Sequence, residues 1–434
     1  MLIEPIKLNV EGGLEVNLPL MFPVKQSFPR PQLSDVVARL RGQWQALDGL
    51  ELNGKRIAIT VGSRGIEGLF SILKETIGFL HSKGARPFIV PAMGSHGGGT
   101  AAGQLKVLAT YGVTESALGI PIEASMDVVN VGQMADGTPL YLDRIAMEAD
   151  GIVLCNKIKP HADFKGDYES GLLKMLCIGL GKHKGASTLH QHGFDYFHEV
   201  IPEAGAILLQ NARIIFAIGI VENAFDDLMD VEVIPTCDIL DREKALLALA
   251  KEHIPTLLFP EIDLLIIQEI GKNISGEGMD PNVTGRPGSR LPGFDAPDIK
   301  KIVALTVTPE SHGNGVGIGM TDVTTRKLVN GLDLSAIYTN AMTATILDPA
   351  KIPLMVNNDQ EAFAVALKTA PRTNPETANI VWIKNTLELV DVMVSEALLP
   401  YVDGSKRLET HGKPEAFRFS EDGCFLGWTS VGSS

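Results

Sequence analysis

The sequence predicts an α/β fold: two α/β domains with mainly parallel sheets flanking an interdomain cleft. Three observations point there. β-branched apolar runs, such as RIAITV (56–61) and GIVLC (151–155), alternate with segments of helical apolar period, the mark of βαβ units. The 434 residues are more than one small core organises. A Pro-punctuated stretch, PTLLFPEID (255–263), separates two such alternating halves.

Taken in order, residues 1–30 are Pro-rich and without a clear period, so short strands and turns are expected. SDVVARLRGQWQAL (34–47) has helical spacing behind a Ser cap. KRIAITVGS (55–63) reads as a strand and GIEGLFSILKETIGFLHSKG (65–84) as a helix ending on Gly84. ARPFIVPAM (85–93) is the next strand and TAAGQLKVLATYG (100–112) the next helix. DGIVLCNKI (150–158) and ARIIFAIGIVEN (212–223) are strands, and DREKALLALAKEHI (241–254) is a helix. Together these form a first domain over 1–256, with 412–434 as a candidate strand to complete it. A second domain over 263–405 has strands DLLIIQEIG (263–271), KKIVALTV (300–307) and ANIVWIKN (378–385). Its helices are TTRKLVNGL (324–332) and DQEAFAVALKTA (359–370). The Pro- and Gly-rich connection 272–299 is of a length that is usually functional or mobile.

Composition narrows the class. A net charge of -14 opposes nucleic acid as a partner, because phosphate backbones need a basic surface. No apolar run nears the ~20 residues of a membrane span. The amino terminus, MLIEPIKLNVEGG, lacks a secretion pattern, so a cytoplasmic protein is expected. Cys155, Cys177, Cys237 and Cys424 show no CxxC spacing and are expected as buried thiols.

The chemistry concentrates in KIKPHADFKGDYESGLLKMLCIGLGKHKGASTLHQH (157–192), where seven charged residues from Lys157 to Lys174 adjoin an apolar run, Leu172 to Leu180. With His198, five of the ten histidines fall in or beside it. Charge beside a buried segment is costly unless it is paired or used. Ligands of open α/β sheets sit beyond the carboxyl ends of the strands. Arg64, His96, His161, Lys272 and His312 all follow predicted strands in this way. Plain structural alternatives stand beside two of them: Arg64 as a surface ion pair and His161 as a hydrogen-bonded loop residue. Lys174, flanked by Leu172, Leu173, Met175 and Leu176, is either a buried lysine that loses its proton or a snorkelling helix-end lysine. GSHGGGT is either a turn or an anion loop in which Gly97, Gly98 and Gly99 let backbone N–H groups approach a ligand, and it lacks the GK[ST] of a P-loop. His190 and His192 suit a metal if extended, though one of the two alone is the simpler expectation.

These residues resemble the nickel-dependent lactate racemases and their hydroxyacid racemase and epimerase relatives. The marks are VGSRG, MGSHGGGT, KPHADFKG, and Lys174 with His190 sixteen residues on. The resemblance implies a nickel-pincer nucleotide (a pyridinium-3,5-bisthiocarboxylic acid mononucleotide), held by Lys174 through a thioamide, with Gly94, Ser95 and Gly97 beside it and His190 on the nickel. It implies His96 and His161 as catalytic bases, and Arg64 and Lys272 as substrate-binding residues. Cofactor-synthesis proteins are implied as loading partners, and a small 2-hydroxyacid as the substrate. The interval from His161 to Lys174 is three residues longer than the lactate racemase pattern, and its residues Asp163, Lys165, Asp167, Tyr168 and Glu169 are polar. A sugar acid of the aldonate type is therefore expected ahead of lactate. Two other classes remain: a zinc hydrolase built on His161, His190 and His192, and a nucleotide-binding protein without turnover.

Overall fold

The structure is a computed structural model that describes residues 4–431 of the chain. It divides into two compact units: Pro29–Ile254, and a second formed by the residues up to Phe28 together with those from Pro255 onward. The division falls at the expected boundary, but the assignment of both chain ends is corrected. Residues before Phe28 belong with the second unit, and so do the described residues of 412–434.

The strands are, in chain order, β1 (Met21–Gln26), β2 (Arg56–Val61), β3 (Arg86–Pro91), β4 (Val128–Gln133), β5 (Pro139–Asp143), β6 (Gly151–Lys157), β7 (Ile214–Glu222) and β8 (Leu228–Pro235). There follow β9 (Glu261–Ile270), β10 (Asp298–Val307), β11 (Val323–Thr325), β12 (Leu354–Val356), β13 (Ile380–Ile383), β14 (Asp391–Ser395) and β15 (Leu408–Thr410). In the first unit the sheet order is β3-β2-β6-β7-β8, parallel throughout except for the antiparallel β8. β4 and β5 pair separately as a hairpin. Neither β4, β5 nor β8 is marked by an apolar run: β4 is only half-buried along its length.

Local chemistry sets the helix limits. The helix after β2 runs Leu69–Ser82 and buries Leu69, Ile72, Leu73, Ile77 and Leu80, one face at helical spacing. It starts four residues later than the pattern predicts, because Gly68 takes a left-handed φ of 70° that ends helical geometry there. The segment 34–47 is not one helix: Val36–Arg41 is capped by Asp35 rather than Ser34, and a 3₁₀ turn, Trp44–Leu47, follows. Between β6 and β7 lie a loop, the helical stretch from Leu172 to His190, and a helix, Phe197–Asn211, that the sequence pattern did not single out.

The second unit carries an eight-stranded sheet ordered β12-β11-β10-β9-β13-β14-β1-β15. The half from β12 to β13 is parallel, while β14, β1 and β15 are antiparallel. β1 is thus an interior strand, with Met21 and Val24 fully buried. The tail packs on the same unit: Glu415 exchanges backbone hydrogen bonds with Met21, and Phe417, Phe419 and Phe425 surround Phe363. Five apolar tail residues need cover, and the helix Asp359–Thr369 supplies it. The predicted helix 324–332 begins instead as β11, with Arg326–Asn330 helical after it. Among the described residues no helix is long and apolar enough to cross a membrane.

Candidate active site

β2 lies between β3 and β6, so the segments bearing Arg64, His96 and His161 leave one edge of one parallel sheet. The stretch 172–190 follows β6 in the chain. Its predicted apolar run is buried as expected: Leu172, Leu173, Leu176, Cys177, Ile178 and Leu180 are all interior. The turn Met175–Gly179 is π-helical, with Leu180 N–H reaching Met175 O at 2.8 Å. Such turns are rare and favour functional positions.

Lys174 opens that turn, and its Nζ meets His161 Nε2. Asp163 N–H donates to His161 Nδ1 at 2.9 Å, which leaves the proton of a neutral ring on Nε2. The Lys174 amine accepts that proton only when it is itself unprotonated. Burial, with Lys159 and Arg64 adding like charge, lowers Lys174 to about 8. Burial and the Lys174 charge hold His161 well below its ordinary value. Burial thus brings the Lys174 amine within reach of its neutral, nucleophilic form, and its contact with the buried His161 shows that it does not snorkel to solvent.

The His161 loop is built around Glu169, whose side chain is fully buried. Its carboxylate accepts from His161 N–H at 2.6 Å and Gly166 N–H at 3.2 Å, and pairs with Lys165 and Lys251. Lys159 and Ser170 close the loop with two backbone hydrogen bonds. Asp167 pairs with Lys244 on the helix Ile239–Glu252. Lys165, Asp167 and Glu169 thus hold the loop, so three of the five polar residues expected to face a substrate have structural partners.

His190 Nδ1 lies 2.6 Å from Ala186 O, and a carbonyl only accepts, so the proton is on Nδ1 and the lone pair on Nε2. Burial lowers it to about 4, keeping it neutral. Phe194 packs against both His161 and His190, at centroid distances of 5.7 and 5.6 Å. His192 turns elsewhere, to Thr138 Oγ1 at 3.1 Å. Among the described residues no three His, Cys, Asp or Glu side chains gather as a metal site, so the zinc set His161, His190 and His192 is not formed.

His96 is exposed at the end of β3, its Nδ1–H directed to Met93 O at 2.9 Å. The glycines around it meet demands inside the fold. Gly94, at φ 58°, gives its N–H to Gly179 O, and a Cβ on Gly97 would strike Gln104 N at 2.6 Å. Ser95 O accepts from Gly99 N–H at 3.0 Å. Arg64 is exposed, and no carboxylate among the described residues pairs with it. Lys272 lies in the second unit at the end of β9, its Nζ on Gly276 O at 2.6 Å, and His312 there has a left-handed φ of 48°. Of the cysteines, Cys155 and Cys177 are buried as expected, whereas Cys237 is exposed and Cys424 half-buried; all four are free thiols.

Sequence reasoning missed three buried polar residues: Lys182, Gln104 and Glu243. Glu243 could have been found, since it shares the apolar helix face of Leu246, Leu247 and Ala250 at three-, four- and seven-residue spacing.

The lactate racemase N-terminal domain family matches residues 59–199, the span that holds Arg64, His96, His161, Lys174 and His190. The lactate racemase apoprotein of Thermoanaerobacterium thermosaccharolyticum is similar in structure, with a TM-score of 0.51 and 15% identity over 84% of this chain and 94% of that one. None of the curated proteins matches. The structural match shows the mixed α/β fold.

Proposed function

From the match of residues 59–199 to the lactate racemase N-terminal domain, we propose that the chain is a 2-hydroxyacid racemase or epimerase working with a nickel-pincer nucleotide. The observation that carries this proposal is the buried Lys174 amine set against His161, with His190 sharing His161's aromatic neighbour Phe194.

The residues fit the cofactor. Lys174 is suited to a thioamide link, and an imidazole anchored through Nδ1 and offering Nε2 is the usual form of a metal-bound histidine. A pincer already supplies sulfur and carbon ligands, so a single histidine is enough. When bound, the nucleotide supplies an electron-poor ring carbon that takes hydride from carbon 2 and returns it.

The protein's own groups do the rest. The Arg64 guanidinium, without an internal carboxylate, holds the substrate carboxylate through two parallel N–H bonds. His161 or His96, one for each antipode, would take the hydroxyl proton as carbon 2 flattens, and the opposite histidine would return a proton to the oxygen from the other face. To accept at Nε2, His161 must first move the proton it carries there to Nδ1, displacing the Asp163 N–H bond, with the Asp163 carboxylate 3.8 Å away. Cofactor-synthesis proteins load the site.

An aldonate remains ahead of lactate as the substrate. With Glu169 and Asp167 tied into the loop, the support is the Tyr168 hydroxyl, with the charges of Arg64 and Lys159 favouring an acidic substrate. Holoprotein incubated with D-gluconate should yield mannonate, and substrate deuterated at carbon 2 should keep its label in the product. Inversion of lactate with gluconate untouched would reverse the substrate choice, and loss of the label to water would overturn hydride transfer.

A further inference from the structure

We propose that Lys182, acting through Gln104, is a positioning residue for His96; the catalytic part of this inference rests on the racemase reading above. Lys182 is fully buried, and its ammonium meets Asp143 Oδ2 at 3.2 Å, Gln104 Oε1 at 3.1 Å and Pro91 O. Pro91 is the last residue of β3, the strand from which the His96 segment departs. The cation fixes the orientation of the Gln104 amide, because only the amide oxygen can face it. The amide nitrogen must then point the other way, and it does, to Gly94 O at 3.0 Å and His96 O at 3.4 Å. Gln104 is itself fully buried, so neither end of this relay has water as an alternative partner.

The relay crosses three elements. Asp143 ends β5, caps the following helix through Ala146 N–H at 2.8 Å, and gives its own N–H to Leu180 O at 2.7 Å. Lys182 lies eight residues after Lys174 and eight before His190, at the head of the helix Lys182–His190. One ammonium therefore ties the backbone of His96 to the segment that carries the other two functional side chains.

Two features argue that geometry, not stability, is served. A buried ion pair is commonly no more stable than an apolar pair of similar size. Lys182 also holds a left-handed φ of 55°, a conformation unfavourable for any residue with a Cβ, and such outliers cluster where position matters.

The test uses full-length holoenzyme with 15N-labelled histidine, the His96 signals being assigned from the spectrum of His96→Asn. Wild-type His96 should show the single Nδ1–H tautomer that its bond to Met93 O requires. In Lys182→Met and in Gln104→Glu the signals should move to a mixed-tautomer position. The turnover number should fall at least tenfold while KM changes less than twofold. Gln104→Glu keeps the ion pair with Asp143 and carries the test alone if Lys182→Met fails to fold. Unchanged His96 signals in folded variants would overturn the proposal, whatever the rate does. A wild-type enzyme that turns over no 2-hydroxyacid would instead remove the racemase reading, and the tautomer measurement would still decide whether Lys182 positions His96.

Discussion

At the scale of single residues, the site depends on which groups are charged. Lys174 is the clearest case: burial and neighbouring cations bring its amine to about 8, where a usable neutral fraction exists at physiological pH. If it joins the cofactor covalently, denatured wild-type holoprotein should retain the cofactor mass and Lys174→Ala should lose it, as intact mass spectrometry would show. Arg64 invites a second substitution. Arg64→Lys keeps the charge but replaces a planar fork by a point donor, removing one charge-assisted hydrogen bond worth about 1.5–3 kcal/mol. We expect kcat/KM for the 2-hydroxyacid to fall roughly 10- to 100-fold, read by steady-state kinetics; an unchanged value would place the carboxylate elsewhere.

At the scale of elements, the His161 loop and the Lys174 helix each hang on one buried carboxylate. Glu169 satisfies two backbone N–H groups and two lysines, of which Lys251 is 40% exposed and contributes little. Glu169→Ala should cost about 2–4 kcal/mol, below the full value of a buried pair because the lysines reach water. Chemical denaturation would measure this. Glu243 receives Leu173 N–H at 2.9 Å at the start of the Lys174 helix, and burial raises it to about 8. Between the unfolded value of ~4.3 and 8, the folded chain holds a proton that the unfolded chain has released. Stability from this group is complete below that window and is lost as pH rises through it. Wild-type protein should melt lower at pH 8 than at pH 5, and Glu243→Gln, which cannot titrate, should show a smaller difference.

At the scale of the whole molecule, each unit has its own apolar core, and β1 is an interior strand of the second. Deleting the residues up to Phe28 removes the partner of both β14 and β15 and opens two strand edges where none existed. Calorimetry should then lose the transition of the second unit and keep that of Pro29–Ile254. Loss of both transitions would contradict the independence of the cores.

The parallel half of each sheet was legible in the sequence because strands such as β2, β6, β9 and β10 are buried on both faces and read as unbroken apolar runs. The half-exposed β4 and the three-residue β11 and β15 leave no such trace. Arg64, His96 and His161 were legible by type and order, since each follows a predicted strand, whereas Lys174 and His190 stood out through their sixteen-residue spacing in the family resemblance. That Lys174 touches His161, that His192 turns away to Thr138, and that Glu169 is a structural anchor were not. By itself the sequence determined the class of fold, the residues able to carry the chemistry and the lysine beside an apolar run. Only the tertiary structure decided their protonation and partners, because burial and neighbouring charge depend on what folds over each group, and that is set by contacts between segments far apart along the chain.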